Sequence, residues 1–384
     1  MTATNYPTAA TAVCGNAPSL YLSACKRDPT CAPTGTPATS TTTATSTSTT
    51  TTSSGCSPTP SNGGLVYGDF ECGGLGVWTP RILDSGLTIA VATPGLTGKL
   101  SVQGQFPGAS SCGHNCDSGI INTGPLPVTP GVSYKVTFAA WMDGSSNGFV
   151  GLMINNGGQR TVAPGEIPFS QWGLIQHPWV APAGITTADV ALDWFGPAAR
   201  LDTITFAPLS AYCGANPPLG ILPDGEFECG LGAWTQEVPD SLCTAGVSST
   251  VGLIPATQGI KAFGAYTWLA STGGPNRSQQ QNGVSARLTS AVMPVTPGKK
   301  YMLAFTAYFN NFGIGFIGVK INGAVVMTRD PGDSHQGTGY FASNQWFWVA
   351  PAGVTTATVT FEAAFSSAGV MGVDSVIFVE VAQD

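Results

Sequence analysis

"GDFECGGLGVWT" at Gly68–Thr79 and "GEFECGLGAWT" at Gly225–Thr235 are nearly the same run of residues written twice in one chain of 384. Internal repetition decides architecture before any single residue is interpreted. The copies lie too far apart for the short units of a solenoid, so each is expected to open a whole domain. The match runs on downstream. "PVTPGVSYKVTFAAWMD" (127–143) answers to "PVTPGKKYMLAFTAYFN" (294–310), and "FVGLMIN" (149–155) to "FIGVKIN" (316–322). "WVAPAGITTADVALD" (179–193) pairs with "WVAPAGVTTATVTFE" (348–362), and "LDTITF" (201–206) with "VDSVIF" (373–378). The chain carries a tandem duplication.

Inside each copy the apolar residues alternate with period two, the signature of half-buried strands. Tyr134, Val136, Phe138 and Ala140 share one side, matched by Tyr301, Leu303, Phe305 and Ala307; these are the expected core positions. The other side carries Lys135, Thr137 and Trp141, matched by Met302, Thr306 and Tyr308. In the next strand Val150, Leu152 and Ile154, with Ile317, Val319 and Ile321, face the core. Phe149, Gly151 and Met153, with Phe316, Gly318 and Lys320, face outward, and the lysine marks that face as wet. "PVTPG" is a turn feeding a strand, and Asn155–Gly158 and Asn322-Gly323 are hairpin turns. Trp78 and Trp234 are expected in the core, while Trp179 and Trp348 could lie either way. About eight short strands per copy predict an all-β fold of two tandem antiparallel β-sandwiches.

Composition agrees. Charged residues are only 9% of the chain, with 50 Gly and 29 Pro, which suits strands and turns over helices. A net charge of −7 argues against a nucleic-acid partner, and no apolar run is long enough to span a membrane. Ten cysteines against three histidines favour disulfides over zinc, and therefore a secreted, extracellular protein. The N-terminus lacks the pattern of a secretory signal, so the sequence is expected to be a fragment. Cys56–Cys72 and Cys213–Cys229 are spaced alike and are the expected disulfides, with Cys112–Cys116 closing a small loop; the pairing of Cys14, Cys25, Cys31 and Cys243 stays open. From Ser40 to Ser54 every residue but Ala44 is Ser or Thr, too little apolar surface to fold. That tract reads as an O-glycosylated stalk, with an unmodified linker as the alternative. The divisions are a Cys-containing segment (1–33), a Ser/Thr-rich linker (34–61), a first module (62–210) and a second (211–384). Asn276-Arg277-Ser278 is an N-glycosylation sequon.

The motif Gly-[Asp/Glu]-Phe-Glu, the middle Val-Thr-Pro-Gly-x-x-Tyr and the closing [Leu/Val]-Asp-[Thr/Ser]-[Ile/Val] resemble carbohydrate-binding modules of the family 4/9 (CenC-like) type. The resemblance covers about 62–210 and 218–384. It implies jelly-roll, galactose-binding-like sandwiches carried by a secreted, cell-wall-associated surface protein of fungal type, with a polysaccharide such as a β-glucan or xylan as partner. It also implies one structural calcium per module, held by Glu71 with Asp202 and by Glu228 with Asp374. A carboxylate satisfied by backbone amides is the alternative for those four residues.

Sugar-binding surfaces stack pyranose rings on exposed aromatics and take the hydroxyls with amides and carboxylates. Trp141 and Phe149, matched by Tyr308 and Phe316, are the candidate stacking rings. The alternative is a satellite core under a loop or the other domain. Asp193 and Glu362 are candidate hydroxyl acceptors or a solvated strand face, Asn147 and Asn310 candidate amides, and Tyr266 and Trp268 a rim peculiar to the second copy. No histidine repeats between the copies and no catalytic motif is present, so catalysis is not expected. The alternative function is a structural or adhesive cell-surface protein that self-associates through the same sandwiches.

Overall fold

The computed structural model describes residues 68–382 apart from 69, 83–86, 106–117, 143–148, 164–166, 168–169, 196–198, 215–216, 242, 249–260, 268–283, 311–314, 331–340 and 366–367. The stalk, Asn147, Trp268, Cys56, Cys112, Cys116 and the sequon lie outside the described residues. The first module contains β1 (Thr79–Ile82), β2 (Thr88–Ala92), β3 (Ser101–Gln105), β4 (Ser118–Pro127), β5 (Ser133–Met142), β6 (Phe149–Ile154), β7 (Gly157–Val162), β8 (Trp172–Val180), β9 (Thr187–Phe195) and β10 (Ala199–Pro208). A 3-10 turn, Leu209–Cys213, leads on. The second module contains β11 (Trp234–Glu237), β12 (Cys243–Ser248), β13 (Ala262–Thr267), β14 (Ala286–Ser290), β15 (Met293–Pro294), β16 (Lys300–Phe309), β17 (Gly315–Ile321), β18 (Ala324–Arg329), β19 (Phe341–Val349), β20 (Thr356–Ala357), β21 (Val359–Phe365) and β22 (Gly369–Val381).

The protein is all-β, with antiparallel strands throughout the described sheets. Sheet order is β1-β4-β9-β6-β7 over β2-β3-β10-β5-β8 in the first module, and β11-β14-β21-β17-β18 over β12-β13-β22-β16-β19 in the second. The two orders are the same topology, with a small extra β15-β20 pair in the second. No helix among the described residues is long and apolar enough to cross a membrane.

The repeated motifs have repeated structural causes. Gly68 passes so close to β10 that an added Cβ would lie 1.8 Å from the Ile204 carbonyl oxygen, and Gly225 stands the same way to Val376. Each instead accepts a backbone bond there, from Ile204 N–H and Val376 N–H, both at 2.9 Å. Tyr134 stacks on Phe206 with centroids 5.0 Å apart, and Tyr301 on Phe378 at 5.2 Å. Trp179 and Trp348 tilt against those pairs and so belong to the interiors. The Tyr134 hydroxyl takes the Thr129 N–H and the Tyr301 hydroxyl the Thr296 N–H, each at 2.8 Å, which ties "VTPG" to the strand it feeds. Trp78 and Trp234 are buried, as expected. Cys213 and Cys229 form the expected disulfide, and Cys72 is disulfide-bonded to a partner outside the described residues.

For the side of β5 with Lys135 and Trp141, and of β16 with Met302 and Tyr308, the alternative of cover by the other domain is the one realised. Lys135 and Met302 are 0% exposed, because these two faces pack on each other. Ala139 and Leu174 from the first module meet Met302, Ala304, Ile377 and Val379 from the second in one apolar cluster. At its edge Lys135 Nζ pairs with Glu226 Oε1, donates to Gln176 Oε1 at 2.9 Å, and sits 3.9 Å over the Tyr212 ring. Gln176 Nε2 donates to the Ser375 carbonyl and Gln345 Nε2 to the Trp172 carbonyl, both at 2.9 Å. The result is a stack of four sheets.

Candidate functional site

With the inner sheets packed together, the outer face of each remaining sheet points to solvent. On the first module the strand registers set Arg81 beside Ile120, Ile120 beside Asp193, Asp193 beside Gly151, and Gly151 beside Thr161. On the second they set Glu237 beside Arg287, Arg287 beside Glu362, Glu362 beside Gly318, and Gly318 beside Thr328. Each row crosses its sheet, and each dips at a glycine next to a carboxylate. Two residues before that glycine, on the same face, stands a phenylalanine: Phe149, half-buried, and Phe316, 38% exposed. Thus Phe149 with Asp193, and Phe316 with Glu362, lie on one face of neighbouring strands.

The two troughs differ in detail. In the first, Asp193 leans over its glycine, so that a Cβ on Gly151 would lie 2.1 Å from Asp193 Oδ1. In the second, Glu362 turns aside. It takes Arg287 Nε at 3.0 Å and Lys320 Nζ at 2.7 Å, and the nearest atoms to a Cβ on Gly318 are 3.8 Å away. Burial raises the Glu362 carboxyl, but the bonds from Lys320 and Arg287 outweigh it and hold the group below the usual carboxylate range. Glu362 is therefore a fixed anion, buried among cations, and not the solvated group its strand position suggests. Arg287 also bridges to Glu237 Oε2 at 2.5 Å.

The other expected rings do not join these troughs. Trp141 and Tyr308 lie on β5 and β16, in the inner sheets, while Phe149 and Phe316 lie on the outer ones. Strand alternation separates inside from outside but does not say which sheet a strand enters, and the chain changes sheets between β5 and β6 and between β16 and β17. Tyr308 is buried, at 7% exposed, and burial raises its phenol. Trp141 is half-buried with the Arg200 guanidinium 4.7 Å over its ring. Asn310 is a structural turn residue, its Oδ1 accepting the Val370 N–H at 2.8 Å. Tyr266, on β13, is half-buried and also belongs to an inner sheet.

An aromatic surface that the repeat did not signal lies along the seam of the modules. A cleft of about 570 Å³ is lined by Trp346, Phe347, Asn344, Gln345, Arg329 and Leu174, among others. Trp346 is 41% exposed. Its one sequence signal is the departure from the repeat: the position matching Trp346 in the first copy is His177. That histidine is neutral, with burial first and the nearby Arg160 charge second bringing it down to about 4.

The four predicted metal ligands fall at matched places, each aspartate before a positive-φ residue, Thr203 or Ser375, at a bulge in β10 or β22. Asp202 accepts N–H groups from Leu96 (2.6 Å), Thr97 (3.1 Å) and Thr203 (2.7 Å), and Glu71 Oε1 accepts that of Leu100 at 2.7 Å. Burial pushes the Asp202 carboxyl up to about 7 against those three donors, and the charge of Glu71 adds to the rise. Backbone amides thus bond both carboxylates, the alternative the sequence reading left open, and a hard cation shared between them would relieve their burial and repulsion. In the second module Lys261 replaces Leu100. Its N–H donates to Glu228 Oε1 at 2.9 Å and its ammonium to the Glu228 carbonyl at 2.7 Å, so a protein cation already stands there. Cys213, Asp224 and Cys229 also cluster, but with both sulfurs in the disulfide only the carboxylate could ligate a metal.

No protein-family model matches the chain, and no curated protein matches it. Among solved structures the chain is similar to the N-terminal tandem of family 22 carbohydrate-binding modules of Xyn10C from Paenibacillus barcinonensis, with 13% identity, 82% of this chain and 96% of that one covered, and a TM-score of 0.26. It is similar to TmCBM61 in complex with β-1,4-galactotriose, with 16% identity over 41% of this chain and 95% of that one, at a TM-score of 0.27. A cyclase from Fischerella sp. TAU is matched at 11% identity, 34% and 82% coverage, and a TM-score of 0.26. Likenesses of this order carry no argument about what the chain does.

Proposed function

We propose that the protein is a non-catalytic, extracellular carbohydrate-binding protein, and that the ligand lies across the outer-sheet troughs. The observation that carries this reading is the recurrence, in both modules, of a phenylalanine, a glycine and a carboxylate at the same register positions on the one face of each sandwich that the partner module leaves open. A sugar ring offers an apolar face to Phe316 or Phe149 and hydroxyls to Asp193 in one trough and to Thr328 and the half-exposed Arg287 in the other. Gly318 leaves the depth that a ring needs, and at Gly151 that space is taken by the Asp193 carboxylate itself. Such a site, with one ring and a few hydrogen bonds, reaches affinities of about −4 to −8 kcal/mol, millimolar to micromolar.

Binding without chemistry suits the charges. Glycoside hydrolysis needs one carboxyl held protonated opposite a second. Here Glu362 is held ionised between Arg287 and Lys320, so it is not the protonated carboxyl that such chemistry needs. For the first module we further propose a structural calcium held by Glu71 and Asp202, which would neutralise their charges and pin the 94–100 loop. The expected polysaccharide is a neutral β-glucan or xylan of a cell wall. Retention of the full chain on insoluble glucan, xylan or chitin tests the reading. Gly318→Val, which fills one trough, combined with Phe149→Ala and Asp193→Ala should abolish it; retention unchanged by all three would refute the assignment.

A further inference from the structure

The geometry points to a protein that bridges two separate polysaccharide chains instead of gripping one chain twice. This rests on the proposed carbohydrate binding at the outer troughs, and it adds the arrangement of the two sites. β5 and β8 pack their outward residues against those of β16, β19 and β22, so these two sheets form the middle of the stack. The troughs then lie on the first and fourth layers and look in opposite directions. Sheets pack roughly 10 Å apart, which puts about 30 Å of protein between the two sites. A stiff chain lying in one trough runs away from the other.

The arrangement is also fixed. The covalent link between modules, the Leu209–Cys213 turn, is held to the start of the second module by the Cys213–Cys229 disulfide. Tyr212 in that turn lies under Lys135, and the Lys135–Glu226 pair is 0% and 1% exposed. Apolar contact on one side and a buried, mutually satisfied polar network on the other remove the freedom that a flexible tandem would need to turn both sites towards one strand.

The test uses the full chain with soluble xylan and soluble β-glucan, alongside short oligosaccharides of the same linkage. Bridging predicts that light scattering of the polymer rises to a maximum at intermediate protein ratio and collapses when oligosaccharide is added. It also predicts that affinity per site for dilute polymer stays within about twofold of that for the oligosaccharide, whereas two sites on one chain would gain about 100-fold or more. Gly318→Val alone, or Phe149→Ala with Asp193→Ala alone, should keep binding at the other face and lose the scattering maximum. Binding without that maximum, an avidity gain, or undiminished scattering by both single-face proteins each overturns bridging and leaves carbohydrate binding standing. Failure of the unmodified protein to bind any of these sugars overturns both.

Discussion

Lys135 of the first module and Glu226 of the second, 91 residues apart, form an ion pair that neither module could satisfy alone. Removing one member strands the other charge out of water, which costs about 3–5 kcal/mol. Glu226→Ala should therefore lower stability by that order, measured by urea denaturation. Lys135→Met with Glu226→Gln should recover most of it, because Met302 already occupies the matching position of the second copy inside the same interface. A double substitution as damaging as the single one would show that the pair does more than neutralise itself.

His177 makes stability depend on pH. Its folded value is about 4 against an ordinary 6.5, so between those values the unfolded chain takes up the proton and the folded one does not. Stability from this residue is complete above about 6.5 and is lost as pH falls towards 4, by about 3 kcal/mol in all. The difference in unfolding free energy between the natural protein and His177→Gln should shrink by that order across the window. A difference independent of pH would contradict the neutral assignment.

Asp202 acts in the opposite sense. With its folded value raised to about 7, the metal-free protein gains stability as pH falls from 7 towards 4 and loses it as pH rises through 7. Calcium at Glu71 and Asp202 should remove that loss. At a concentration 100-fold above its dissociation constant the ion would add about 2.7 kcal/mol. Thermal unfolding at pH 8 with calcium and with chelator should differ in the natural protein and not in Asp202→Ala. A chelator effect that survives Asp202→Ala would place the metal elsewhere.

Gly225→Ala tests the opening motif itself. The added Cβ would fall 1.8 Å from the Val376 carbonyl oxygen, a backbone atom held in β22. We expect a loss of about 3 kcal/mol, at the upper end of overpacking costs, with the far-ultraviolet spectrum of the surviving protein unchanged. Gly318→Ala, whose nearest contacts are 3.8 Å away, should be nearly neutral for stability.

Much of the fold was legible because its signals are local. Alternation identifies Tyr134, Phe138, Tyr301 and Phe305 as core, and equal spacing of cysteines identifies Cys213–Cys229. The troughs were half-legible: Phe149 and Asp193, like Phe316 and Glu362, are outward residues of strands that turn out to be neighbours. What could not be read is long-range. Nothing local to β5 says whether its outer face meets solvent or another module, so the burial of Lys135 could not be read. Trp141 and Tyr308 looked equivalent to Phe149 and Phe316 because period two is blind to which sheet a strand joins. The mismatches between the copies, Lys135 against Met302 and Leu100 against Lys261, are where the two modules have taken different parts.

Calorimetric titration of the full chain with the oligosaccharide that best competes for retention tests the central assignment most directly. Two sites per chain are expected for the natural protein, one for Gly318→Val, one for Phe149→Ala with Asp193→Ala, and none for the triple substitution. Heats and stoichiometry untouched by the triple substitution, or no heat with any oligosaccharide that the polysaccharides yield, would contradict it.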